Sequence, residues 1–119
     1  MKYLLDTNIV SYWMRGTARI TTAIAQKRPC DLAIALITYA EICYEIEKSP
    51  RKKAERNEKI QRIASLIDII PMDINAAHHY ANIRVQLERI GTVIGERDVQ
   101  IAAIARANGL CLITHYVKE

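Results

Sequence analysis

Three acidic residues occupy comparable places in this 119-residue chain. Asp6 follows the apolar run "YLL" and opens the triplet "DTN". Glu41 lies in "LITYAEICYE", one short turn after a second apolar run, and Asp98 lies in "GTVIGERDVQIAAIARA", in the first turn of a helix with an apolar face. Three carboxylates gathered at one edge repel one another unless positive charge sits between them. A hard divalent cation answers that need: Mg²⁺ and Mn²⁺ prefer oxygen ligands, and Mg²⁺ requires only one or two carboxylates, keeping several waters. Two such ions about 4 Å apart activate water and stabilise the leaving oxygen of a phosphodiester. Thr7 and Asn8, beside Asp6, are suited to hold that acid and a phosphate as hydrogen-bond donors around the ligands.

Simpler readings compete. Asp6 fits a helix cap or the first solvated residue of a turn. Thr38 and Glu41 have the T-x-x-E spacing of a capping box, in which the glutamate folds back onto the cap amide. Residue types leave these alternatives open. Asp98 fits compensation of a helix dipole, worth a few tenths to ~1 kcal/mol, although Glu96 supplies that equally well. Other carboxylate chemistries fit poorly. A phosphoaspartate phosphatase wants D-x-D after its first strand, where Asn8 stands. A phosphorelay receiver wants adjacent acids near the first strand, and no G-x-S-x-G supports a serine hydrolase.

The elements that must position these acids follow from apolar periodicity. Strands are predicted over residues 2–5, 31–37, 68–71 and 110–114, the second too apolar to have one wet face. Helices are predicted over 9–15, 17–28, 38–48, 51–66, 74–90 and 98–108, with Gly16, Gly91 and Gly109 as stops and Pro50 at a helix start. On the fifth helix, Ala77, Ala81 and Val85 are expected to face inward. Gly95 is expected to bend the chain into the start of the sixth. Apolar strands alternating with helices give an α/β fold, a parallel sheet covered on both faces. Functional groups in such sheets collect beyond the carboxyl ends of the strands, where Asp6 falls.

Composition narrows the class. Half of the residues are apolar and 25% are charged, which is globular composition for one domain over residues 1–119. The net charge of +4 mildly favours a polyanionic partner. No apolar run is long enough to span a membrane, and no signal peptide is expected at the N-terminus. Cys30, Cys43 and Cys111 lack CxxC spacing and read as buried free thiols in a reducing cytoplasm. His78 and His79, about 100° apart on a helix, read as a solvated or partly buried pair. The run "RKKAERNEKIQR" reads as a solvated helix face with i,i+4 pairs, and at least one of Tyr12 and Trp13 as core.

Together "LLDTN", "ITYAEICYEIEKS" and "RVQLERIGTVIGERDVQIAAIARANGLCLIT" resemble the PIN-domain ribonuclease toxins of the VapC type, over essentially the whole chain. The resemblance implies a three-layer PIN-like fold with a central parallel sheet of about four strands. It places Asp6, Glu41 and Asp98 on three of the family's metal-binding acids and makes them the catalytic set. Thr7 and Asn8 match its DTN signature, and Thr114 the threonine after the fourth strand. It further implies metal-dependent endonucleolytic cleavage of RNA (tRNA among the candidates) with Mg²⁺ or Mn²⁺, a VapB-type antitoxin as partner, and a homodimer. The chain departs from the family after Thr114, reading "THYVKE" where T-N-N or T-N-D, an acid, phenylalanine and a further strand are usual. Glu119 matches a fourth family acid, and the final family strand is expected to be missing, which would leave the outer edge of "LCLIT" exposed. The alternative expectation is a C-terminally shortened, catalytically weakened PIN-like module that binds antitoxin or RNA.

Overall fold

The computed structural model describes residues 1–114. In chain order it runs β1 (Tyr3–Leu5), α1 (Thr7–Met14), α2 (Ala18–Ala25), a 3₁₀ turn (Pro29–Asp31), β2 (Leu32–Ala35), α3 (Leu36–Lys48), α4 (Lys53–Leu66), β3 (Asp68–Ile70), α5 (Ile74–Arg89), α6 (Glu96–Ala107) and β4 (Cys111–Ile113). The strands form one parallel sheet in the order β3-β2-β1-β4. β4 pairs with β1, as expected for "LCLIT". The expected fourth acid, Glu119, and the question of a final strand lie outside the described residues.

Alternation along the strands builds two cores, because successive side chains leave opposite faces of a sheet. Leu5, Leu32 and Ile34 pack with Ile9, Val10, Ile42, Ile46, Ile60 and Ile63 of α1, α3 and α4. Leu4, Ala33 and Ala35 pack with Ala76 of α5 and Ile101, Ile104 and Ala105 of α6. All four residues of β2 are buried, which is what a strand covered on both faces requires. On the α6 side the sheet contributes two alanines, Ala33 and Ala35, beside Leu4.

Turn chemistry agrees with the sequence at the helix ends. Gly109 takes a φ of +65° after α6, and the Leu110 N–H returns to the Ala105 carbonyl at 2.8 Å, a Schellman-type stop that leads the chain into β4. Arg56 of α4 closes the other end of α3, donating to the carbonyls of Glu45, Ile46 and Ser49.

Four expectations are corrected. The second strand ends at Ala35, and α3 begins at Leu36 with Ala35 as its cap, so Leu36 and Ile37 are helical. Ala77 and Ala81 are exposed and Val85 is 43% exposed, whereas Ala76 is fully buried and Ile83 and Leu87 are half-buried. The physical reason is that α5 packs chiefly on α6, so its contact face is set by that helix. Gly95 has φ −59° and ψ 146°, a conformation open to any residue, and therefore imposes no special bend. Cys30 and Cys111 are free but exposed, one on the surface 3₁₀ turn and the other on the edge strand; Cys43 is half-buried.

The corrected α5 face is testable. Ala76→Leu, forced into a site with no exposure, is expected to cost about 1–3 kcal/mol. Ala77→Leu on the exposed face should stay within about 0.5 kcal/mol. Urea denaturation of both variants checks the difference; a larger loss at Ala77 would restore the other face.

Candidate active site

Parallel register assembles the site edge. Leu5 pairs with Ile34 on one side and Ile113 on the other. The next residues, Asp6, Ala35 and Thr114, therefore stand in a row where the sheet ends. The Asp6 N–H donates to the Ile113 carbonyl at 3.0 Å, carrying the pairing one residue past the strand. Asp6 also caps α1, its Oδ1 accepting from the Ile9 N–H at 2.9 Å. The simple reading of Asp6 is thus realised: it is a helix cap, placed at the carboxyl edge of the sheet.

At Glu41 the simple reading fails. Thr38 is not a cap but the third residue of α3, and it is fully buried. Thr38 and Glu41, three residues apart, face the start of α1 together. The Thr7 hydroxyl donates to Glu41 Oε1 at 3.0 Å and lies 3.2 Å from the Thr38 hydroxyl. A threonine has one hydroxyl proton. With that proton on Glu41, Thr7 must accept from Thr38. The resulting chain, Thr38 to Thr7 to Glu41, fixes the carboxylate toward the "DTN" segment instead of back toward its own helix start.

The second oxygen of Glu41 is taken from the opposite side. Arg97 Nη1 of α6 donates to Oε2 at 2.9 Å, in an ion pair whose side chains are 66% and 19% exposed respectively. Arg97 adjoins Asp98 in the first turn of α6. Asp98 leans back over that turn: its Oδ2 lies 3.7 Å from where a Cβ on Gly95 would stand. Asn8 is exposed beside Thr7, and Thr114 is exposed after β4.

A groove of about 680 Å³ opens beside this edge between α1, α3 and α4. Thr7, Asn8, Glu41 and Arg97 line its site end, and Arg15, Arg51 and Lys52 stand along it. Arg15 lies over the Tyr12 ring, 5.5 Å from its centroid. The "RKKAERNEKIQR" stretch forms the expected i,i+4 pairs, Lys59 with Glu55 at 3.6 Å and Arg62 with Glu58 at 2.8 Å. His79 accepts from Arg106 through Nδ1 at 2.7 Å while His78 is exposed, so the two do not act together.

Three carboxylates and a threonine hydroxyl have the oxygen chemistry that a hard divalent cation requires. Their arrangement here does not present it. Both Glu41 oxygens are committed, and among the described residues no three His, Cys, Asp or Glu side chains are grouped to hold an ion. The structure brings Glu41 to Thr7 and to the start of α6, and it puts a guanidinium where cationic charge is expected. Sequence reasoning missed two participants. Thr38 was hidden by its resemblance to a cap. Arg97 was lost in the mixed charges of "GERD", although a cation in the first turn of a helix opposes the dipole and calls for an explanation.

The fold and site edge define a three-layer α/β domain with acids at the carboxyl ends of a parallel sheet. The PIN domain family model matches residues 3–116. Ribonuclease VapC2 of Haemophilus influenzae is 35% identical over 120 residues, covering 100% of this chain and 89% of that protein. The tRNA(fMet)-specific endonuclease VapC of Shigella flexneri is 32% identical with the same coverage. In the crystal structure of VapBC2 from Rickettsia felis bound to a DNA fragment from their promoter, a chain aligns with a TM-score of 0.88 at 30% identity, covering 99% of this chain and 90% of that one. This chain belongs to the PIN-domain family, in its VapC branch. No helix among the described residues is long and apolar enough to cross a membrane.

The cap and the hydroxyl chain make separable demands. Asp6→Asn keeps a good capping side chain and is expected to leave stability within about 0.5 kcal/mol. Asp6→Ala should lose about 1 kcal/mol, the usual worth of a cap. Thr38→Val, which keeps the shape but removes the buried donor, should cost about 0.5–1.5 kcal/mol. Thermal and denaturant unfolding check all three; equal losses for Asn and Ala at position 6 would show that the Asp6 carboxylate does more than cap.

Proposed function

We propose that this protein is an endoribonuclease, the toxin of a VapBC-type toxin–antitoxin module, hydrolysing RNA phosphodiester bonds at the carboxyl edge of its sheet. The observation that carries the reading is the hydrogen bond from Thr7 to Glu41, which ties the "DTN" segment after β1 to an acid that began 34 residues away. Full-length similarity to proteins named as VapC ribonucleases supports the same chemistry. Asp6, Glu41 and Asp98 are the residues that would hold Mg²⁺ or Mn²⁺. Thr7 orients Glu41, and Asn8 and Thr114 border the site where substrate would lie. Glu119 is retained as a fourth acid on the family resemblance alone.

A VapB-type antitoxin is the proposed partner, in keeping with the VapBC complexes to which the fold is similar. Homodimerisation and a cytoplasmic setting are proposed with it. The exposed apolar residues Ile74, Val85 and Ile90 on and just after α5 would suit a protein–protein contact. RNA is the proposed substrate, with tRNA as the first candidate, since one similar protein is a tRNA(fMet)-specific endonuclease.

Incubation of purified protein with labelled tRNA and Mg²⁺ or Mn²⁺ tests the reading. Cleavage is expected with either ion and none after EDTA. Asp98→Asn should reduce the rate by more than ~100-fold, and Thr7→Val, which loosens Glu41, by roughly 10- to 100-fold. Cleavage that survives EDTA, or an Asp98→Asn variant with full activity, would contradict it.

A further inference from the structure

We infer that the groove between α1, α3 and α4 is a track for single-stranded RNA, in which Arg51 and Lys52 hold backbone phosphates and Tyr44 stacks on a base. The inference rests on the nuclease reading and adds to it the residues that bind the strand away from the bond being cut. The groove is continuous with the site edge, since Thr7 and Asn8 line it together with Arg51 and Lys52 of the turn from α3 into α4.

Most cations of the groove already have partners. Arg97 is paired with Glu41 and Lys59 with Glu55, while Arg56 donates to the carbonyls that end α3. Arg51 and Lys52 are different: both are exposed, and among the described residues neither has a hydrogen bond or an ion pair. Their place is unfavourable in the protein alone. Lys52 caps the start of α4 with a φ of +49°, a left-handed conformation that a side chain disfavours. The dipole of α4 repels positive charge at that same end. Glu45 adds one negative charge to the lining, against Arg15, Arg51 and Lys52, so the groove stays positive. An anion with repeated charges fits it, and a phosphodiester strand is such an anion. A peptide fits less well because it needs apolar pockets. The apolar residues here are turned to the core: Ile42 and Ile46 are buried, and Met14 packs against the same cluster.

Tyr44 separates a single strand from a duplex. It lines the groove and is 58% exposed, with Lys48 Nζ 5.8 Å from its ring centroid. An exposed ring beside a cationic groove is how proteins hold unpaired strands, the charges tracking the backbone and the ring stacking on a base. Bases paired inside a helix cannot turn to such a ring.

Fluorescence anisotropy of the full chain with a short labelled single-stranded RNA, in EDTA and over a range of salt, tests this. Arg51→Gln combined with Lys52→Gln should weaken binding roughly 10-fold and make the slope of log affinity against log salt shallower by about 1.4, the share of two phosphate contacts. Tyr44→Ala should weaken binding roughly 5- to 100-fold with the slope unchanged, and Tyr44→Phe should bind like the parent. Arg84→Gln combined with Arg89→Gln removes the same charge from α5, across the sheet, and should change affinity by less than about twofold. The parent should bind the same RNA less tightly once it is annealed to its complement. In the cleavage assay the Arg51 and Lys52 double variant should raise KM and leave kcat unchanged, since it removes binding remote from the reacting bond. Equal losses for the two charge pairs, Tyr44→Ala binding like the parent, or a preference for the duplex would overturn the inference. RNA affinity unchanged in every variant would also overturn it and leave the groove to a protein segment. The expected binding pattern without any cleavage by the parent would instead contradict the nuclease reading and leave the RNA track standing.

Discussion

Thr7 has one hydroxyl proton, and Glu41 receives it. From that single donation the rest of the site follows. Because the proton points at Glu41 Oε1, Thr7 must accept from the buried Thr38, and the three residues lock the start of α1 to one face of α3. Glu41 then cannot curl back to cap its own helix. Its free oxygen is left facing α6, where Arg97 meets it. A site built this way is positioned by the sheet. Thr7 stands two residues past Leu5, whose pairing with Ile34 and Ile113 sets where both α1 and α3 begin.

The same register carries a cost in tolerance. A slip of one residue would exchange the faces of β1 and β2, driving Leu4 toward α1 and Leu5 toward the alanine-lined side under α6. The two cores are too different in volume to accept that exchange. Ile34, Ile46 and Ile60 fill one, while Ala33, Ala35, Ala76 and Ala105 let α6 close on the other. The first turn of α6 reaches the site through Arg97, which bonds Glu41. Core packing and site geometry are therefore one constraint.

Much of this was legible in the residues. The alternation of short apolar runs with helical spacing placed every strand and helix within a few residues, because buried parallel strands cannot carry polar faces. The resemblance in "LLDTN" and the later motifs pointed to the family that the full-length similarities show. Local rules failed where two of them use the same residues. T-x-x-E is the pattern of a capping box and also the pattern of two neighbours on one helix face; only the burial of Thr38 against Thr7 separates them. Asp6 was legible as both a cap and a site acid, and its capping bond is observed. On α5, alanines recur at several helical phases, so the sequence could not say which of them met α6. Cys111 was misjudged because β4 lies at the edge of the sheet among the described residues, with one side open. Arg97 could not be read at all without the fold, since its partner lies 56 residues away.

Crystals of this protein soaked in Mn²⁺, with anomalous scattering measured at the manganese edge, would test the central claim most directly. The account predicts an anomalous peak at the carboxyl edge of the sheet, on carboxylate oxygens of Asp6, Glu41 or Asp98. No peak there would contradict it.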